Sequence, residues 1–181
     1  MAGWLRRANP IPPGLIADPR LVLIGQAPGD ITDHKGYHFA GPAGRVLERW
    51  FDQAGFPPGY FRQHVYLTSL TRCFPGKSAS GNGDRPPSAA EIALCRPFLD
   101  RELSSLQPRL ILLVGKMAID AFLGKRPLVD TVGQVFSRDG RLLLPLPHAS
   151  GVSRWLNAPA NRALVDQALA HLARLRQELD L

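Results

Sequence analysis

Residues able to bind or react concentrate in two short stretches, GQAPG at 25–29 and HASGVSR at 148–154. The first is a Gly/Pro turn directly after the apolar run Leu21–Ile24, where a buried strand would end. In an α/β sheet, ligands bind just past the carboxyl ends of strands, because loop amides and helix N-termini converge there. The stretch 25–39 is therefore a candidate binding surface, with Asp30 and Asp33 as its carboxylates. Capping and solvation account for those two acids equally well. The second stretch opens on His148, whose imidazole can donate or take up a proton near neutral pH. A lone histidine at a strand end is more often structural than catalytic. Cys73 and Cys95 are the only cysteines, too few for a disulfide framework or, by themselves, for a four-thiolate metal site. Buried free thiols are the simpler reading.

The scaffold that would hold both stretches is visible in the hydrophobic pattern. Leu21–Ile24, Val65–Thr68 and Leu110–Val114 are short apolar runs closed by turn residues, as for strands covered on both faces. Between 43 and 53, Val46, Leu47, Trp50 and Phe51 recur at helical spacing, and Gly55 with Pro57 and Pro58 stops that helix. Ser88 and Glu91 form a capping-box signature for a helix running to about Leu106, with Ile92, Cys95, Phe98 and Leu99 on its core stripe. A short helix over 117–122 closes at Gly124, and a hairpin of 132–136 with 141–146, split at Asp139 and Gly140, supplies the last strand. Residues 159–178 read as an amphipathic closing helix. Strand, loop and helix alternate, which predicts an α/β fold with a mostly parallel central sheet. Residues 1–19, with Pro10, Pro12, Pro13 and Pro19, read as an irregular arm, and 1–181 as one domain.

Lys and Arg outnumber Asp and Glu by 22 to 15, giving a formal charge of +7 and a pI near 10.1. That balance suits a nucleic-acid partner, although ordinary basic surface explains it as well. Lys35, Lys77 and Arg85 are candidate phosphate contacts, with solvated surface as their default. No run of about 18 apolar residues occurs and the N-terminal stretch lacks the apolar core of a signal peptide. No membrane partner is expected, and the expected compartment is the cytoplasm, with the bacterial nucleoid.

In this order, separated by most of the fold, the two stretches resemble the two active-site motifs of the uracil-DNA glycosylase superfamily. The resemblance covers most of the chain. GYHFAGPAG at 36–44 is similar to the G-x-x-F-x-G-x-A-G run of the branch with iron–sulfur clusters, called family 4. YLTSLTRCFPGK at 66–77, EIALCRPFL at 91–99 and RLILLVGKMAIDAFLG at 109–124 match the same branch. The resemblance implies a three-layer α/β/α sandwich and a monofunctional DNA glycosylase, which flips a deaminated base, uracil first, out of DNA and hydrolyses its N-glycosidic bond in base excision repair. Such chemistry needs a pocket for the flipped base, a wedge for the gap left behind, and donors aimed at the base oxygen as charge develops there.

The resemblance also implies roles. His148 donates to the uracil O2, Phe39 stacks on the flipped base, and backbone amides around Gln26 and Ala27 line the pocket. Ala27 stands where the best-known branch carries a water-positioning Asp, which leaves Asp30 and Asp33 as the available catalytic carboxylates. Ser69 replaces the Asn with which family 4 reads the Watson–Crick edge, and a rotating hydroxyl discriminates less than an amide. HASGVSR is similar to the NPSGLSR motif of the mismatch-specific branch. That similarity makes Val152 the apolar wedge, Arg154 the residue that fills the hole or holds the opposite strand, and Ser150 and Ser153 phosphate ligands. Cys73 and Cys95 take the third and fourth cluster-ligand positions of family 4, but 1–20 lack the first pair, so no cluster and no other cofactor or metal is expected.

The expected partner is DNA carrying a damaged base, met by a monomer. Two alternatives stand beside this reading: a damaged-DNA-binding protein with little or no catalysis, and a glycosylase for other deaminated bases such as hypoxanthine or xanthine. A small-molecule nucleoside enzyme on the same frame is argued against by His148 and the wedge-like Val152.

Overall fold

The computed structural model describes residues 10–14, 16, 19–81, 83–150 and 154–181. In chain order the elements are β1 (Leu21–Gly25), α1 (Asp30–Lys35), α2 (Pro42–Gln53), α3 (Tyr60–Gln63), β2 (Tyr66–Ser69), α4 (Ala89–Leu106), β3 (Leu110–Val114), α5 (Lys116–Leu123), β4 (Phe136–Arg138), β5 (Arg141–Leu146) and α6 (Pro159–Glu178). Single 3-10 turns lie at Leu128–Asp130 and Arg154–Asn157.

The sheet order is β2-β1-β3-β5-β4. β1, β2, β3 and β5 are parallel, with Gly25 opposite Ser69, Leu21 opposite Leu110 and Leu110 opposite Leu142, and β4 joins β5 antiparallel. Successive side chains on a strand point to opposite faces, so an unbroken apolar run fills two cores at once. Leu21, Leu23, Leu110, Leu112, Leu144 and Leu146 pack against α2 and α6 through Leu47, Phe51, Leu169 and Leu172. Val22, Ile24, Ile111, Leu113 and Leu143 pack against α4 and α5 through Leu99, Leu103, Ile119 and Phe122. The result is the three-layer α/β/α sandwich with a mostly parallel sheet.

Three elements differ from the sequence reading. Residues 25–39 are not all turn and loop, because Asp30–Lys35 closes into a short helix that ends at Gly36 in the left-handed region. The hairpin is shorter than 132–136 implies. β4 starts only at Phe136, because Gly133 sits at φ +85 against the α6 backbone, with Leu164 O about where a Cβ would touch. On α4, Phe98 is 60% exposed and Cys95 half-buried, so neither belongs to a buried stripe. The stripe instead follows Ile92, Leu99, Leu103 and Leu106, whose spacing Phe98 misses by one residue. The capping box at Ser88 and Glu91 is present in full. Of the N-terminal arm, Ile11 is buried and its amide donates to Arg72 O at 3.0 Å, which lays that segment over the loop after β2.

Candidate functional site

Four parallel strands end on one edge, and their following turns gather there: 25–29 after β1, 69–75 after β2, Gly115 after β3 and 147–150 after β5. β1 and β5 stand on either side of β3, two strand spacings or about 10 Å apart, which leaves room for a flat ring between groups borne on them.

His148 is half-buried at the β5 end. Its Nδ1 lies 3.2 Å from the backbone N of Ser150 and 2.8 Å from the Ser150 hydroxyl. A backbone N–H only donates, so Nδ1 accepts and the ring proton sits on Nε2. Burial pushes the imidazole pKa below its ordinary value, which keeps the ring neutral. His148 is thereby a neutral Nε2–H donor. The β3 turn is shaped around it, since Gly115 takes φ +91 and a Cβ there would stand 3.3 Å from His148 Cδ2.

Phe39 reaches the β1 end from the loop before α2. The tip of its ring points at Gly25, where an added Cβ would meet Cζ at 2.8 Å. Its backbone is left-handed, φ +55, which is costly for an aromatic residue. Gly44 in the first turns of α2 makes the space, since a Cβ there would overlap Phe39 O at 1.9 Å. The Arg62 guanidinium donates to His38 O and to Phe39 O, each at 2.8 Å, and to Glu48 Oε1 at 2.6 Å.

The remaining predicted residues divide. Gln26 and Ala27 are half-buried in the turn after β1. Ser69 pairs with Gly25 but is 3% exposed, and its hydroxyl donates to Thr71 O at 2.8 Å, so its proton is used within its own turn. Thr68 points away, to Glu102 at 3.4 Å, and Glu102 is also the ion-pair partner of Arg72. Asp30 is drawn outward, its carboxylate 3.1 Å from Lys77 Nζ and 3.7 Å from His34 Nδ1. Asp33, half-buried on α1, lies near Cys73, whose thiol it helps to push upward. Ser150 serves His148. Arg154 is exposed at the head of its 3-10 turn, whereas Val152 and Ser153 lie outside the described residues.

Two of the expected phosphate contacts are otherwise engaged. Lys77 bridges Asp30 and Asp84, and Arg85 forms two hydrogen bonds to Glu91 at 2.8 and 2.6 Å, holding Glu91 down to a pKa of about 2. Lys35 is exposed. Asp84 also accepts from the Asp30 amide at 3.0 Å, so the 76–85 loop is pinned to the start of α1. Arg62 carried no signal in the sequence, and His38 and Gly115 lay in matched stretches without a role of their own, because their importance lies in what folding brings against them.

The cluster of the family 4 resemblance does not fit the donors present. Cys73 and Cys95 are half-buried free thiols, Cys73 pushed upward first by burial and then by Cys95 nearby. The sequence holds no other cysteine, and two thiolates do not replace four. Among the described residues no three His, Cys, Asp or Glu side chains gather as a metal site, and no helix is long and apolar enough to cross a membrane.

The family model described as the Uracil DNA glycosylase superfamily matches residues 13–173. Among curated proteins, the chain is 29% identical to a type-4 uracil-DNA glycosylase of Saccharolobus solfataricus over 133 residues, 73% of this chain and 57% of that one. It is 28% identical to the type-4 uracil-DNA glycosylase of Thermotoga maritima over 140 residues, 76% of this chain and 68% of that one. With the Archaeoglobus fulgidus protein of the same name it shares 32% identity over 98 residues, 54% of this chain and 44% of the relative. The chain spans about half the length of the first of these curated relatives.

Proposed function

Because the chain belongs to the uracil-DNA glycosylase superfamily, we propose that it is a monofunctional DNA glycosylase acting in base excision repair on a deaminated base, uracil first. The observation that carries this reading is the enforced tautomer of His148, a neutral donor on the same sheet edge as Phe39. When the glycosidic C–N bond breaks, its electron pair passes to the base and negative charge gathers on the base oxygens. A fixed Nε2–H meets that charge without having to give up its proton. Phe39 offers the base an apolar face, and the backbone of Gln26 and Ala27 offers amides. A water adds its oxygen to the sugar C1′ and loses a proton, leaving free base and an abasic site. Ala27 brings no carboxylate to that water. Asp33 is the stronger candidate to orient it, since Asp30 already faces Lys77. Val152, Ser153 and Arg154 meet the duplex. The working form in this reading is a monomer on DNA in the cytoplasm.

One observation favours a second reading, a damaged-DNA-binding protein with little catalysis: the turn has Ala27, and the nearest following acid is ion-paired. Labelled oligonucleotides carrying uracil, hypoxanthine or xanthine, single- and double-stranded, separate the two. Release of uracil is expected, with His148→Ala slower on the order of 10²–10³-fold. Tight binding with no release from any substrate would replace the first reading by the second.

A further inference from the structure

We propose that Arg62 is a positioning residue that sets the direction of the Phe39 ring, an inference that rests on the base-excision reading above. The ring has a use only if it holds one orientation, and its backbone, at φ +55, is one that an aromatic residue does not hold unaided. Two peptide planes flank the Phe39 Cα, and their orientation is what φ and ψ describe. The carbonyls of those two planes are His38 O and Phe39 O. Arg62 grips both from one guanidinium, NH1 on the first and NH2 on the second, each at 2.8 Å.

The grip is itself anchored. Arg62 Nε donates to Glu48 Oε1 at 2.6 Å, which ties the fork to α2, and the same group lies over the Phe61 ring at 4.8 Å and the Tyr37 ring at 5.5 Å. Gly44 leaves the space in which the Phe39 carbonyl and the Arg62 NH2 meet, since a Cβ would stand 2.5 Å from that nitrogen. A planar fork is needed here. Lysine would bring one point charge to two acceptors and could not fix both planes.

The test uses Arg62→Ala, Arg62→Lys and the double variant Arg62→Ala/Phe39→Ala, in single-turnover release from a duplex oligonucleotide holding one uracil. Arg62→Ala is expected to slow release on the order of 10–100-fold, with affinity for the duplex unchanged, because a small misplacement near the reacting group costs about that much. Arg62→Lys recovers part of the loss and serves where alanine unfolds the protein. In the Phe39→Ala background, removing Arg62 costs little more. A crystal structure or backbone NMR of Arg62→Ala is expected to find Phe39 out of the left-handed region. Phe39 holding φ near +55 without Arg62, or an equal loss in the Phe39→Ala background, overturns the proposal. So does weaker duplex binding at an unchanged rate, which would make Arg62 a phosphate contact. A wild-type protein that releases no base defeats the functional reading, while the Phe39 backbone angle still decides the clamp.

Discussion

At the residue scale the two histidines of the site region make the same demand on pH, since both rings are held neutral. In the proposed reaction His148 is a neutral donor, and its pKa lies below the usual 6.5 because it is buried. Release should therefore be level through neutrality and decline only as the pH falls through that lowered value. A single-turnover pH profile with its acid limb at or above 6.5 would contradict the tautomer argument. His38 is 4% exposed, its Nε2 has no hydrogen-bond partner, and burial followed by the charge of Arg72 lowers its pKa to about 4. The unfolded chain binds a proton that the folded chain refuses between the two values. Stability from this group is present above pH 6.5 and lost as pH falls toward 4, by about 3 kcal/mol. Urea unfolding at several pH values should show a shallower acid loss in His38→Gln; an equal loss would assign the effect elsewhere. His148 and Phe39 were legible in the sequence because each sits in a motif long enough to resemble a known one. Arg62 was not, because a guanidinium gripping two carbonyls leaves no spacing to read.

At the scale of elements, period and punctuation found the four parallel strands and the long helices, including the capping box that starts α4. What the pattern did not show depends on contacts from elsewhere. α1 exists because Asp84, brought by a distant loop, accepts from its first amide, and the 132–135 segment leaves the sheet because Gly133 packs on α6. Gly44 gives an element-level test. Alanine in a helix interior ordinarily gains about 1 kcal/mol over glycine. Here its Cβ would overlap the Phe39 carbonyl, so Gly44→Ala should lower the melting temperature and displace the 37–41 loop. A stabilised Gly44→Ala with unchanged base release would show that α2 does not support the loop.

For the whole molecule, a formal +7 suits a polyanion, but the structure shows which cations are available to it. Lys77 and Arg85 already face carboxylates, whereas Arg154, the last residue of the second motif, is exposed. Affinity for duplex DNA should fall with salt as counterions are released, and Arg154→Ala should reduce the log–log slope by about 1 while Lys77→Ala leaves it unchanged. A reduced slope in Lys77→Ala with none in Arg154→Ala would place the duplex over the 76–85 loop instead. Purified protein should also lack a cluster absorbance near about 400 nm, since two thiols cannot hold the metal centre of the related branch. The order of the strands has a consequence for the chain as it is made. Phe39 is fixed beside β1, but His148 arrives only after β5 docks on β3. A nascent chain that ends at Leu123 has three of its parallel strands and Phe39, yet lacks His148. On the base-excision reading, the complete pocket therefore forms only when β5 closes the sheet.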